Sequence, residues 1–321
     1  MFAGIDIGGT GIKGVITDTN TKIITSGETP TPAAAQDIDF AIAGLIEYML
    51  KKCSIKLNKL RVIGLGAAGS IDNRNGIVIN SPNIPAWNNY PLAEKIRSLT
   101  GKPVFLENDA TVATAGAWLQ DNIRIYTNWI MVTLGTGIGG GAVIDNSIYT
   151  GQSGSSLELG HMTIDINGRE CPCGNRGCLE RYASATALVE TVKKDLKSFP
   201  DSSLNTRITN EKLTSKIIYE EALKKDALAL RSINEISTYL GFGIVNIVNI
   251  FNPQAVVFGG GLSQAYRLIF PVVKEIIKKH AMAGMKEKVK LIPLRKQSRM
   301  SAMGAAKMAI ERINRTSIKA K

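Results

Sequence analysis

Soft metal ligands are scarce in this chain. Its 321 residues include four cysteines and two histidines. So few cysteines exclude a disulfide-stapled scaffold. No uninterrupted apolar run approaches the ~18 residues of a membrane span, so no transmembrane helix is expected. The opening MFAGIDIGGTGIKGV lacks a basic stretch leading into a long apolar one. No signal peptide is therefore expected, and the cytosol is the default location. Low-complexity tracts, short-period repeats and long Pro/Ser linkers are also missing. The pattern GxxxxGK[ST] does not occur, which excludes a P-loop.

What is present suits a folded protein with a substantial core. Hydrophobic residues make up 44% and the mean hydropathy is +0.03. A chain of 321 residues is long for one simple core and suits two lobes. The net charge of +12 would attract nucleic acid, an anionic membrane or a small anion. Its lysines are dispersed, in KK, KDLK, KKD and KEKVK, as on solvated faces. Neither nucleic acid nor membrane is expected as a partner. The tail after Ile313, NRTSIKAK, reads as a frayed end.

The N-terminal half alternates strand and helix. FAGIDIGG, GIKGVITD and KIITSGETP read as consecutive antiparallel strands. Apolar spacing predicts a helix over residues 36 to 53. RVIGLGAAGSID is a buried strand running into a glycine turn, and YPLAEKIRSLTG a helix ending at Gly101. KPVFLEND is a strand and ATVATAGAWLQ a helix. NWIMVTLGTGIGGGAVIDNSIYTG echoes the opening hairpin. Helical patterns follow at 184 to 198, 215 to 250, 264 to 280 and 301 to 313, with a strand at AVVFGGGLS. This order predicts an α/β protein. Residues 1–116 are expected to form a small lobe, joined by a C-terminal helix at about 301–321, and residues 117–300 a large lobe with the cysteine-bearing loop.

Three glycine turns follow strands. In DIGGTGIKG, glycines let backbone N–H groups approach an anion, and Thr10 and Lys13 add donors. TLGTGIGGG repeats that composition, and FGGG adds a third turn. Tight turns need glycine without any ligand, but three at strand ends exceed what hairpins require. Together they fit a nucleotide. LEND carries Glu107, Asn108 and Asp109 to the end of an apolar strand, where carboxylates of α/β lobes face ligands. Asp109 is placed either to act as a general base near an alcohol or to cap the next helix.

Most of the soft ligands sit in ELGHMTIDINGRECPCGNRGCLE. His161, Cys171, Cys173 and Cys178 give H-x9-C-x-C-x4-C, with Pro172, Gly174 and Gly177 supplying tight turns. Four N/S ligands suit a closed tetrahedral Zn2+ site of structural type. Buried free cysteines are the alternative. A metal there rigidifies a loop flanked by Glu158 and Glu180.

With these motifs in this order, essentially the whole chain resembles the ROK family of repressors and sugar kinases. DIGGTGIKG and TLGTGIGGGAVID resemble that family's phosphate segments. LEND resembles the segment bearing its catalytic aspartate. ELGH with CPCGNRGCLE resembles its E-x-G-H and zinc-cysteine signature. YASATAL, GGGLS and the GAA at Gly304 match as well. Two departures stand out. GGTG replaces the commoner GGTK, so the lysine comes at Lys13, and ENDATVATAG varies ENDANAAA.

The resemblance implies a two-lobed actin-like ATPase (ribonuclease H-like) fold, with mixed sheets flanked by helices. It implies ATP between the lobes and Mg2+ near Asp6. Nucleotide contacts fall to Asp6, Gly8, Gly9, Thr10, Lys13, Thr133, Gly135, Thr136, Gly137, Gly259, Gly260 and Gly261. Asp109 takes the proton of a sugar hydroxyl as that oxygen attacks the γ-phosphate. Sugar hydroxyls fall to Gly69, Asn83, Asn108, Asp109, Glu158, His161 and Glu180. His161 then serves sugar and metal through different ring nitrogens.

YASATAL resembles the glucokinase branch and makes glucose the expected acceptor. N-acetylmannosamine, N-acetylglucosamine, allose and fructose kinases share the same wall. GGTGIKG also resembles polyphosphate-using relatives, while the zinc motif points to ATP. A homodimer is implied by resemblance. Family repressors add an N-terminal helix-turn-helix segment, for which the residues before Asp6 leave no room, so an enzyme is expected over a regulator or sugar sensor.

Overall fold

The computed structural model describes residues 1–321 except 82, 83, 153, 155, 156, 296–298, 320 and 321. β1 (Phe2–Ile7), β2 (Gly11–Thr17) and β3 (Ile23–Pro30) open the chain as an antiparallel meander. α1 (Ala35–Lys52) turns Ile38, Ile42, Leu45, Ile46 and Met49 to the core, the three-to-four spacing of an amphipathic helix. β4 (Val62–Ala67) is buried throughout. β5 (Ser70–Asp72), β6 (Ile77–Asn80) and β7 (Asn88–Tyr90) form a small antiparallel sheet. α2 (Leu92–Thr100) stops where Gly101 adopts φ 66°, a left-handed cap that glycine permits. β8 (Val104–Asn108) runs directly into α3 (Asp109–Ala117).

The second half contains β9 (Trp129–Leu134), β10 (Ile138–Ile144), β11 (Ser147–Tyr149), α4 (Glu180–Ala183), α5 (Ala185–Asp195), α6 (Leu204–Asn210), α7 (Ser215–Leu223), α8 (Ala227–Phe251), β12 (Ala255–Gly259), α9 (Tyr266–His280), β13 (Lys290–Pro293) and α10 (Met300–Lys319). The helix expected over 215 to 250 is two helices. Lys225 takes φ 69°, and the Asp226 carboxylate accepts from Ala229 N–H at 2.9 Å, capping α8. The small β5–β7 sheet, β11, α6 and β13 carry no pattern that sequence periodicity detects.

Two mixed sheets share one strand order. The first runs β3-β2-β1-β4-β8 and the second β11-β10-β9-β12-β13. In the first, β1, β4 and β8 are parallel; in the second, β9, β12 and β13 are parallel. This is the α/β class expected, with mixed sheets and flanking helices.

The chain divides into two compact units, 1–127 with 141–156 and 297–321, and 128–140 with 157–296. The first therefore takes in more than the expected 1–116. Trp118, Leu119 and Gln120 continue the hydrogen bonding of α3, and the Gln120 amide reaches Met300 sulfur at 3.6 Å. Within this unit α10 docks so closely that a Cβ on Gly4 would meet Ala302 O at 1.9 Å, and one on Gly304 would meet Val112 O at 1.8 Å. No helix among the described residues is long and apolar enough to cross a membrane.

Candidate active site

In the first unit, β1 ends at the turn Gly8–Thr10. Gly8 N–H donates to Gly11 O at 3.0 Å, closing it. Asp6, near the end of β1, pairs in register with Lys13 on β2. Burial pushes the Asp6 carboxyl up to about 6 from 3.8; the charge of Asp109 adds to this and Lys13 offsets it. Asp6 and Asp109 thus share one electrostatic neighbourhood, a carboxylate pair suited to a divalent cation.

The three polar residues of LEND divide their labour. Glu107 is buried, with Arg312 Nη2 at 2.5 Å and Asn73 Nδ2 at 3.1 Å. Arg312 also donates to Asn73 O at 2.9 Å, so this cluster fastens α10 to the end of β8. Burial raises the Glu107 pKa, and Arg312 and Asn73 oppose the rise.

Asn108, not Asp109, caps α3. Its Oδ1 accepts from Ala110 N–H at 2.8 Å and Thr111 N–H at 3.3 Å. Its Nδ2 donates to Gly69 O at 3.0 Å. The alternative reading of Asp109 as the cap is thereby corrected: β8 extends through Asn108, so Asp109 becomes the first residue of the helix. Gly69 holds φ 117°, and a Cβ there would lie 2.1 Å from Asn80 O. Asn83 lies outside the described residues.

In the second unit, the turn after β9 is closed by Gly135 N–H donating to Gly137 O at 3.0 Å. The Thr133 hydroxyl accepts from Gly139 N–H at 3.1 Å. After β12, Gly259 ends the strand and Gly260 takes φ 85°, with Gly261 open to its surroundings. Glu158 is exposed and precedes the single turn Leu159–His161. Between them, Gly160 lies so close to β10 that a Cβ would meet Ile138 O at 2.1 Å.

The cysteine loop of the same unit folds into a knuckle. Gly174 (φ 90°) and Gly177 (φ 71°) occupy the left-handed conformations their turns require. Cys171 N–H donates to Asn175 O at 2.9 Å and Gly177 N–H to Arg169 O at 2.8 Å. One ligand atom from each of His161, Cys171, Cys173 and Cys178 lies within 4.8 Å of all the others. Cys171 Sγ is 3.7 Å from His161 Nδ1, and Cys173 Sγ is 3.8 Å from Cys178 Sγ. A tetrahedral ion with sulfur at ~2.3 Å sets its ligand atoms about 3.8 Å apart. The residues therefore fit Zn2+, and a sulfur pair at 3.8 Å is no disulfide.

Burial and the neighbouring thiols and Glu180 push Cys171 up to about 12. Burial also raises Cys178. For Cys173, burial is outweighed by hydrogen bonds from Asn175 N–H and the other two thiols, which lower it. A dication bound here would displace the protons of these thiols. His161 turns Nδ1 toward the sulfurs, so Nε2 is the nitrogen left for another partner. Glu180 leads from the knuckle into α4. Its Oε1 accepts from Cys171 at 3.4 Å, and its carboxylate lies against Gly137, where a Cβ would meet Oε2 at 2.5 Å.

Sequence reasoning missed several residues here. Arg312 and Asn73 fasten LEND from 239 residues apart in sequence. The Thr31 hydroxyl donates to Gly8 O at 2.6 Å, and the Thr186 hydroxyl to Thr136 O at 2.8 Å. No local pattern marks such pairings; YASATAL marks the neighbourhood of Thr186 alone.

A profile of the ROK family matches residues 2–312. The glucokinase of Thermotoga maritima is 33% identical, over 97% of each chain. The xylose repressor of Bacillus subtilis is 31% identical, over 96% of this chain and 76% of the repressor. The crystal structure of a ROK family glucokinase from Streptomyces griseus in complex with glucose and AMPPNP superposes with a TM-score of 0.81. It is 29% identical and covers 97% of this chain and 99% of that one. With that profile spanning the glycine turns, LEND, E-x-G-H and the cysteine knuckle, the chain belongs to the ROK family.

Proposed function

We propose that this chain is an ATP-dependent hexose kinase that transfers the γ-phosphoryl group to the 6-hydroxyl of glucose. The observation that carries this reading is Asp109. It opens α3 directly after β8, its Oδ1 accepts from Ala110 N–H at 2.8 Å, and its charge reaches Asp6, which supports a base working next to a cation-binding carboxylate. The glucokinase relatives, matched over nearly their whole length, support glucose as acceptor. The structure with glucose and AMPPNP supports ATP as donor.

The first unit supplies the turn at Gly8, Gly9 and Thr10, with Lys13, and the carboxylates Asp6 and Asp109. Asp6 would hold Mg2+, whose charge supports the phosphoryl oxygens. Asp109 accepts the proton of the attacking hydroxyl, and Asn108 and Gly69 fix the backbone around it. The second unit supplies Thr133, Gly135, Thr136 and Gly137 for phosphate and Gly259, Gly260 and Gly261 for the adenosine side. It also supplies Glu158, His161 and Glu180 for sugar hydroxyls. Zn2+ held by His161, Cys171, Cys173 and Cys178 keeps that wall rigid and takes no part in transfer. A cytosolic homodimer completes the proposal; light scattering that finds a monomer at micromolar concentration removes the dimer.

The test is ADP release from Mg-ATP with glucose, mannose, fructose, allose, N-acetylglucosamine, N-acetylmannosamine or no sugar. Glucose is expected to exceed the others. Asp109→Asn is expected to bind glucose nearly as well and to turn over about 10²–10⁴-fold slower. Near-normal turnover of that variant would remove Asp109 as the base. The repressor similarity favours a second reading, a sugar-responsive regulator. Silence across the panel with a gel shift on genomic DNA fragments would establish it instead.

A further inference from the structure

Each glycine turn has a hydroxyl bound to one of its carbonyls. Thr31, on the loop after β3, donates through Oγ1 to Gly8 O at 2.6 Å and through its N–H to Thr10 O at 3.3 Å. Thr186, in the first turn of α5, donates through Oγ1 to Thr136 O at 2.8 Å. Beside it Ala185 N–H donates to Gly135 O at 2.9 Å. Ser263 donates to Gly260 O at 2.7 Å. The two threonines come from 23 and 50 residues away in sequence, so no local turn geometry explains them.

In a planar trans peptide the C=O and the following N–H point in opposite directions. A donor on Gly8 O therefore directs Gly9 N–H the other way. Donors on Gly135 O and Thr136 O do the same for Thr136 N–H and Gly137 N–H. Among the described residues, none of these three N–H groups gives a hydrogen bond to the protein. An anion is bound by N–H groups and repelled by carbonyl oxygens. A glycine peptide is otherwise free to flip and present the wrong end.

We propose that Thr31 and Thr186 are positioning residues for nucleotide binding: each clasps the carbonyl side of a glycine turn and holds its N–H groups toward phosphate. The proposal rests on the kinase reading above, since phosphate oxygens are the acceptors it requires. The two clasps act alike in the two units, one on the hairpin after β1 and one on the hairpin after β9. Preorganised N–H groups bind without reorienting, so loss of a clasp appears as lost phosphate affinity while sugar contacts are spared.

The experiment uses the full, zinc-replete chain with Thr31→Val, Thr186→Val, Thr31→Ser and Thr186→Ser. Calorimetry gives the dissociation constants of Mg-ADP and of glucose, and steady-state kinetics gives both KM values. Each valine variant is expected to bind Mg-ADP about tenfold more weakly, the effect of one lost hydrogen bond. Glucose affinity should stay within about twofold, and serine should restore nucleotide binding. Melting curves check folding. Should Thr31→Val unfold, Thr186→Val, at a half-buried position, carries the test with its serine partner. Unchanged Mg-ADP affinity in the valine variants, or equal losses for glucose and Mg-ADP, overturns the clasp while the kinase reading stands. Absence of Mg-nucleotide binding in the parent chain overturns both.

Discussion

Asp6 shows how a residue suited to catalysis disfavours folding. Its ordinary value of 3.8 applies to the unfolded chain, and in the fold it rises to about 6, through burial first and Asp109 second. The ionised carboxylate is then less stable folded than unfolded. That cost is absent below 3.8 and complete above about 6. Asp6→Asn should therefore raise the melting temperature of the ligand-free chain at pH 7.5 by a few degrees, from roughly 1–3 kcal/mol. The gain should shrink as pH falls through that window. The same variant should lose the Mg2+ dependence of nucleotide binding. A melting temperature that falls equally at pH 7.5 and pH 4.5 would mean that Asp6 is a structural hydrogen-bond partner. Strain of this kind at a functional carboxylate is the usual trade of stability for activity.

At the scale of elements, glycine carries two opposite meanings, and only the structure separates them. Gly304 sits where α10 touches α3; its missing side chain leaves room for Val112 O. Gly44 lies on an open face of α1, with nothing within 4 Å of a Cβ. Gly304→Ala should force α10 off the sheet and α3 and cost several kcal/mol, as overpacking against backbone does. Gly44→Ala should stabilise by about 0.5–1 kcal/mol through helix propensity. Chemical denaturation of the two variants decides this; equal small effects would mean that α10 docks more loosely than described.

This contrast also explains what was legible in the sequence. The β1–β3 meander, α1, α2, β8 and the hairpin after β9 could be read from periodicity because each buries its own apolar face. The grouping of His161 with the three cysteines could be read because rare ligands stand in tight local spacing. The β5–β7 sheet, the break at Lys225, the Asn108 cap and the Thr31, Thr186 and Arg312 contacts were not legible. Each depends on a partner, or on a competition between neighbouring caps, that hydrophobic pattern does not record.

At the scale of the whole chain, the two sheets repeat one strand order, yet among the described residues only the second unit carries a cysteine knuckle. That asymmetry puts the candidate zinc site in the second unit. Cys171, Cys173 and Cys178 sit in a loop with little regular structure, tied by the isolated bridges Thr163–Cys178 and Glu170–Arg176. Without a dication, the ordering of that loop rests on a few hydrogen bonds; with one, ligand bonding supplies the difference. Elemental analysis should find one zinc per chain. A thiol titration of the native protein should find one reactive cysteine, the half-buried Cys53, and of the chelator-treated protein four. Chelation should also loosen Glu180 and, through it, the Gly137 turn against which its carboxylate lies. Linkage then requires that saturating Mg-ADP raise the chain's zinc affinity in equilibrium competition with the chelator. Equal zinc affinity with and without Mg-ADP would separate knuckle from turn, and four reactive thiols in zinc-loaded protein would remove the metal site altogether.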